Sequence, residues 1–148
     1  MIRLATKEDV KGIKMLAAQY EMEVHGKVKD RTLAEINKIA NINGSTYVYE
    51  SAKSLQGFVT VETDTPVAPV AKGQDNLLRL IVVDRGARKR GIGDKLMRHV
   101  IERYCGRCSL MIERKHPEWE KLIRYYEKYG FKVSKIDDRS IKMRLTKS

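Results

Sequence analysis

Cysteine and histidine are scarce in this chain: 148 residues contain two of the first and three of the second. Cys105 and Cys108 form a Cys-Gly-Arg-Cys pair. A structural zinc site needs four ligands, and only His99 lies close in sequence, with His25 and His116 far off. A redox pair is activated at the start of a helix, whereas these cysteines fall where a helix is expected to end. Ordinary reduced thiols are therefore expected. Long apolar runs are also missing, so no segment reaches the length of a membrane-spanning helix. Met1-Ile2-Arg3-Leu4 reads as a strand and not as a signal peptide, and a soluble, cytoplasmic protein is expected. Repeats and low-complexity tracts are absent. Prolines number three, and Pro66 and Pro69 sit with Gly73 in a flexible connection over 64–75.

What remains is 42% hydrophobic, enough to bury a core, over a length that suits one domain spanning 1–148. The formal charge of +11 is unevenly placed. Residues 75–148 carry 20 basic and 10 acidic side chains, against 10 and 9 in residues 1–74. The excess thus lies in the C-terminal half. It fits an anionic ligand, and it leaves room for an RNA or acidic protein partner beside a plain solvated surface.

The same half contains Arg88-Lys89-Arg90-Gly91-Ile92-Gly93. An apolar run from Leu77 to Val83 precedes it, broken only by Arg79, and Ile92, Leu96, Met97, Val100 and Ile101 follow at helical spacing. A strand therefore ends in a basic, glycine-containing turn from which a helix starts. The first N–H groups of a helix have no internal partner and carry partial positive charge, so this turn can hold phosphate. A P-loop is excluded because Asp94 and Lys95, not Lys-Ser/Thr, follow the glycines. A dinucleotide fingerprint is excluded because the third glycine is missing and the turn lies past the middle of the chain. A second segment, Tyr125-Tyr126-Glu127-Lys128-Tyr129-Gly130-Phe131, closes a helical pattern of Trp119, Leu122, Ile123 and Tyr126, with Gly130 placed to end the helix.

The turn Arg88, Gly91, Gly93 resembles the pyrophosphate-binding motif of the GCN5-related N-acetyltransferases (GNAT family). Tyr126 with Gly130 and Phe131 is similar to the family's second hallmark. The order of elements read along the chain is β-α-α-β-β-β-α-β-α-β-β. It places strands at Met1–Ala5, Ser45–Ser51, Leu55–Thr63, Leu77–Asp84, Ser109–Glu113, Phe131–Lys135 and Ser140–Leu145. Helices are expected from Thr6, with Asp9 as a capping-box partner, toward Tyr20; over Thr32–Asn41; from Gly91; and over Pro117–Tyr129. Glu21–Lys29 reads as a loop, and Ala52-Lys53-Ser54 as a hairpin turn. A mixed α/β sheet with helices on both faces follows, and the order matches the acyl-CoA N-acyltransferase fold.

The resemblance implies acetyl-CoA as cosubstrate and direct transfer of acetyl to an amine, on a small molecule, peptide or protein. It implies a gap between the fourth and fifth strands, with Leu80, Ile81, Val82 and Val83 along the pantetheine arm. It places Arg88, Lys89, Arg90, Gly91, Ile92, Gly93, Asp94 and Lys95 around the pyrophosphate through their backbone N–H groups. Tyr126 is implied as the group that protonates the leaving thiolate. The fourth-strand glutamate found in many members is missing here, with Arg79 near its place. Glu113 and His116 are then the candidate bases, beside a water-mediated route with no single base. Two alternatives stay open: a toxin-type acetyltransferase acting on aminoacyl-tRNA, and a non-catalytic module that binds coenzyme A or RNA. A homodimer is compatible with every one of these readings.

Overall fold

A computed structural model describes residues 1–27, 46–52, 54–63, 75–103 and 107–146. Seven strands and three helices lie within them: β1 (Ile2–Leu4), α1 (Val10–His25), β2 (Thr46–Ser51), β3 (Ser54–Thr63), β4 (Asp75–Val83), α2 (Ile92–Arg103), β5 (Arg107–Glu113), α3 (Trp119–Glu127), β6 (Lys132–Ile136) and β7 (Ser140–Thr146). The helix expected over Thr32–Asn41, most of the connection over 64–75, and Cys105 lie outside the described residues. The remaining elements follow the expected order, most ends shifted by one or two residues and the end of α1 by five.

The strands form one sheet in the order β1-β2-β3-β4-β5-β7-β6. Every neighbouring pair is antiparallel except β4 and β5, which are parallel because α2 carries the chain across between them. Each face has its own core. Ile13, Leu16 and Ala17 of α1 pack on Val48, Phe58 and Val82. Ile92, Leu96, Met97 and Val100 of α2, with Tyr126 of α3 and Phe131, pack on Val59, Leu110, Ile112, Ile141 and Met143 on the other face. These are the period-2 and period-3.6 positions that the sequence marks as inward.

One expectation is overturned. Glu21–Lys29 is not a loop throughout: α1 continues to His25 and ends at Gly26, whose φ of 72° is the left-handed helix end. The apolar spacing carries on through Tyr20 and Val24, and Glu21 is buried at 4% exposure. The stretch looks polar because Glu21 and Glu23 interrupt it, yet both face protein. At the other end of the helix the capping box between Thr6 and Asp9 forms around a short 3-10 turn. Asp9 also takes both Arg3 nitrogens, at 2.7 and 2.9 Å.

Two irregularities position the site. β4 pairs with β5 only from Asp75 to Leu78, against Arg107 to Leu110. On its other edge, Thr60 faces Leu80 while Val61 faces Leu78, so Arg79 is an extra residue in β4. Such a bulge bends and twists its strand. It lies directly after the last β4–β5 pair, and beyond it the two strands diverge.

Candidate active site

The turn after β4 has an unusual backbone. Lys89 and Gly91 both have positive φ, 69° and 78°. Alternating hand along a short stretch turns successive N–H groups toward one side, which makes an anion-binding hollow. From Arg88 onward, the first amide with an acceptor among the described residues is that of Lys95, which donates to the Gly91 carbonyl at 3.0 Å. Lys95 therefore cannot lend its N–H to a ligand as expected. Its ammonium lies 5.5 Å from the Tyr49 ring centre instead.

A cavity of about 850 Å³ opens between this turn, the free end of β4, the last turns of α1, and α3. Lys89, Gly91, Ile92, Gly93 and Asp94 form one end of it, and Ile81, Val82 and Val83 its wall. Leu80 is not on that wall; it packs against the core under α1. Arg90 is exposed beside the cavity. Arg88 lines the cavity, but its guanidinium is committed to Glu23, at 2.7 and 2.9 Å. That pairing lowers the Glu23 carboxyl and raises the arginine further. Gln19 adds a second tie between α1 and the turn: its amide nitrogen donates to Asp84 at 2.8 Å, and its oxygen accepts from the Arg85 N–H at 3.1 Å.

Tyr126 lines the same cavity and is buried at 7% exposure. Burial, first of all, pushes its phenol above the ordinary tyrosine value. It therefore keeps its proton at neutral pH and can give a hydrogen bond. Its neighbour Tyr125 closes over the turn: a Cβ added at Gly93 would lie 3.2 Å from the Tyr125 hydroxyl. Tyr129, bonded to Tyr125, donates to Asp94 at 2.6 Å. Tyr129 and Arg98 hold the Asp94 carboxyl below its usual range. This tyrosine–aspartate link fixes α3 to the first turn of α2.

The two candidate bases separate. His116 lines the cavity, with its ring 6.3 Å from that of Tyr20. Its Nδ1 accepts the Glu118 N–H at 3.0 Å. Burial lowers its pKa, so it is neutral at physiological pH. A neutral imidazole with Nδ1 accepting carries its hydrogen on Nε2 and offers a donor, not a free lone pair. Glu113 lies outside the cavity lining and meets His25 Nε2 at 3.2 Å. Among the described residues, no group of three or more His, Cys, Asp or Glu side chains could hold a metal. No described helix is long and apolar enough to cross a membrane.

Sequence reasoning missed the contribution of α1. Tyr20, Glu23 and Val24 line the cavity, and Gln19 secures its turn. The signal was present as Ala17, Tyr20 and Val24 at helical spacing with Gly26 as the stop.

The sheet is thus split between β4 and β5, and the turn after β4 lines a cavity beside the split. Residues 43–133 match the model of the acetyltransferase (GNAT) domain, and the chain belongs to that family. No curated protein matches the sequence. The fold is shared with solved acetyltransferases. PaiA N-acetyltransferase from Thermoplasma acidophilum, in complex with coenzyme A, is 16% identical with a TM-score of 0.72, over 99% of this chain and 98% of that one. An N-acetyltransferase from Staphylococcus aureus is 19% identical with a TM-score of 0.74, over 98% and 100%. Arabidopsis thaliana Naa50, in complex with the bisubstrate analogue CoA-Ac-MVNAL, is 16% identical with a TM-score of 0.67, over 100% and 97%.

Proposed function

We propose that the chain is an acetyl-CoA-dependent N-acetyltransferase that acetylates a primary amine by direct attack in a ternary complex. The observation that carries this reading is the hollow of amides from Lys89 to Asp94 at the open end of the β4–β5 gap, with Tyr126 in the same cavity. Those amides suit a diphosphate through hydrogen bonds and the α2 dipole. Gly91 leaves open space where a side chain would begin, with nothing within 4 Å of an added Cβ. The unpaired edge of β4 beyond Leu78 supplies backbone groups for an amide-containing arm. One of its N–H groups is the natural partner for the thioester oxygen as charge develops there.

Protons are the harder part. An alkylammonium with a pKa near 10.4 loses about 4–5 kcal/mol in giving up its proton at neutral pH. His116 is a poor base in its resting tautomer, because its lone pair is engaged by the Glu118 amide. Glu113 is turned to His25. A water carrying the proton to solvent remains the best reading. Tyr126 is the donor to the leaving thiolate. Peptide or small-molecule amines both suit the acceptor end, where Tyr20, Glu23 and His116 converge. The test is calorimetry with acetyl-CoA and desulfo-CoA, followed by transfer assays over a panel of amines. Binding with stoichiometric transfer supports the reading. No binding at millimolar cofactor ends it, and tight binding without transfer favours the non-catalytic module.

A further inference from the structure

Among the described residues, the wing of the sheet formed by β5, β7 and β6 has a helix, α3, on one face only. Leu110, Ile112, Ile141 and Met143 point to that helix and are buried. The other face leaves Met111 58% exposed, while Ser109, two residues earlier on the same face, is buried. Pairing sets Lys132 opposite Arg144, and Lys135 opposite Lys142. Residues directly opposite in an antiparallel pair share a face. Arg144 and Lys142 lie in turn beside Ser109 and Met111. Four cations therefore form a two-by-two array on the face opposite α3.

This array depends on a bulge. Lys132 and Lys135 are three residues apart, and in an unbroken strand they would point to opposite faces. The register shifts between Val133 and Lys135, which leaves Ser134 without an opposite residue. Its hydroxyl donates to the Lys142 carbonyl at 3.3 Å. The extra residue brings Lys135 back to the side of Lys132. Among the described residues none of the four cations has an ion pair. Asp137 lies within electrostatic reach of Lys135, but its carboxylate accepts the Arg139 and Ser140 amides, both at 2.9 Å.

We propose that this face docks single-stranded RNA through its phosphates. Like charges set directly opposite each other raise the energy of the free sheet, and a polyanion relieves that repulsion while releasing its own counterions. The described residues of the face include no aromatic ring, so what they offer a nucleic acid is contact with its phosphates. Among its described residues the face offers no Trp or Tyr of the kind enriched at the centre of protein interfaces. Its described residues lie in strands, with no helix among them to enter a duplex groove. Single-stranded nucleic acid is abundant mainly as RNA. A strand laid along β5 passes Met111 toward Glu113 and the mouth of the cavity near His116. The proposal does not depend on the acetyl-transfer reading.

The test is fluorescence anisotropy with a labelled, unstructured oligoribonucleotide of about 16 nucleotides, across a salt series, with saturating coenzyme A present to occupy the turn near Gly91. Lys135→Glu and Arg144→Glu each place a carboxylate opposite a cation, so both variants should fold with an unchanged or higher Tm. The double variant is expected to bind about tenfold more weakly, and the salt slope to fall by about 0.7 for each cation removed. Lys11→Glu, on the exposed side of α1, should leave affinity nearly as it was. Unchanged affinity and slope in the double variant overturn the proposal. So does tighter binding to polyglutamate than to RNA, which would assign the face to an acidic protein, or tighter binding to DNA of the same sequence. Loss of RNA binding on adding coenzyme A alone would place the site at the turn and also overturn it.

Discussion

Arg88, the first residue of the phosphate-turn motif, is held by both carboxylate oxygens of Glu23, 65 residues earlier in the chain. The motif arginine thus secures the turn against α1, with its guanidinium engaged by protein. The Glu23 side chain is 27% exposed and that of Arg88 43%, so the pair adds only about 0.5–1 kcal/mol to stability. Its larger effect is on the shape of the turn. Glu23→Gln is expected to weaken coenzyme A binding several-fold by calorimetry while Tm falls by a few degrees at most. Arg88→Lys should not restore the loss, because an ammonium cannot bond both oxygens in a planar fork. Unchanged cofactor affinity in Glu23→Gln would show that the turn holds its shape without α1.

Gly91 tests the hollow itself. Its φ of 78° strains any β-branched residue although the space around it is open. Gly91→Val should cost about 1–3 kcal/mol in stability and at least tenfold in affinity for coenzyme A, measured by calorimetry on protein confirmed folded by circular dichroism. Full affinity in a folded variant would place the diphosphate elsewhere.

Removing the Tyr126 hydroxyl separates binding from chemistry. Tyr126→Phe keeps the ring against Phe131, 6.1 Å away between centres. If the phenol protonates the leaving thiolate, kcat falls about 100-fold or more with the Kd for acetyl-CoA unchanged. Equal losses in binding and turnover would make the residue a packing element instead.

Stability should fall on the acid side in two stages. Burial holds His99 and His116 below the ordinary histidine value. The unfolded chain then binds protons that the folded chain refuses, so their contribution is full above about pH 6.5 and is lost as pH drops through the folded values. A second loss comes below about pH 4, as Asp9, held low chiefly by Arg3, is protonated. Melting temperatures from pH 7.5 to 3.5 check both stages. His99→Gln with His116→Gln should flatten the upper one, and Asp9→Asn should lower Tm at neutral pH while flattening the lower one. A Tm that is flat from pH 7 to 5 would contradict the buried-histidine account.

Much of the site was legible because its parts are local. A strand, a basic turn with two glycines and an amphipathic helix are contiguous, so spacing alone reveals the segment from Leu77 to Tyr104. Tyr126 follows from the same logic, with its helical spacing and Gly130 as the stop. The contributions of Gln19, Tyr20 and Glu23 were not legible, because they reach the turn through tertiary contacts. Two acidic residues also disguised the end of α1 as a loop. The split between β4 and β5 was expected from the family resemblance and not from the residues. Its visible physical counterpart, the extra residue Arg79, shows only once β3 fixes the register.

By itself the sequence determined the elements, their order, the inward faces and the amide-rich turn, since each depends on residues close along the chain. Tertiary structure decided which side chains those elements share. It turned Arg88 to Glu23, tied the Glu118 amide to His116 Nδ1, and through one unpaired serine gathered Lys132 and Lys135 on a single face. A periodic pattern predicts facing only while the ladder is unbroken, and a bulge resets it at a point that only the partner strand defines.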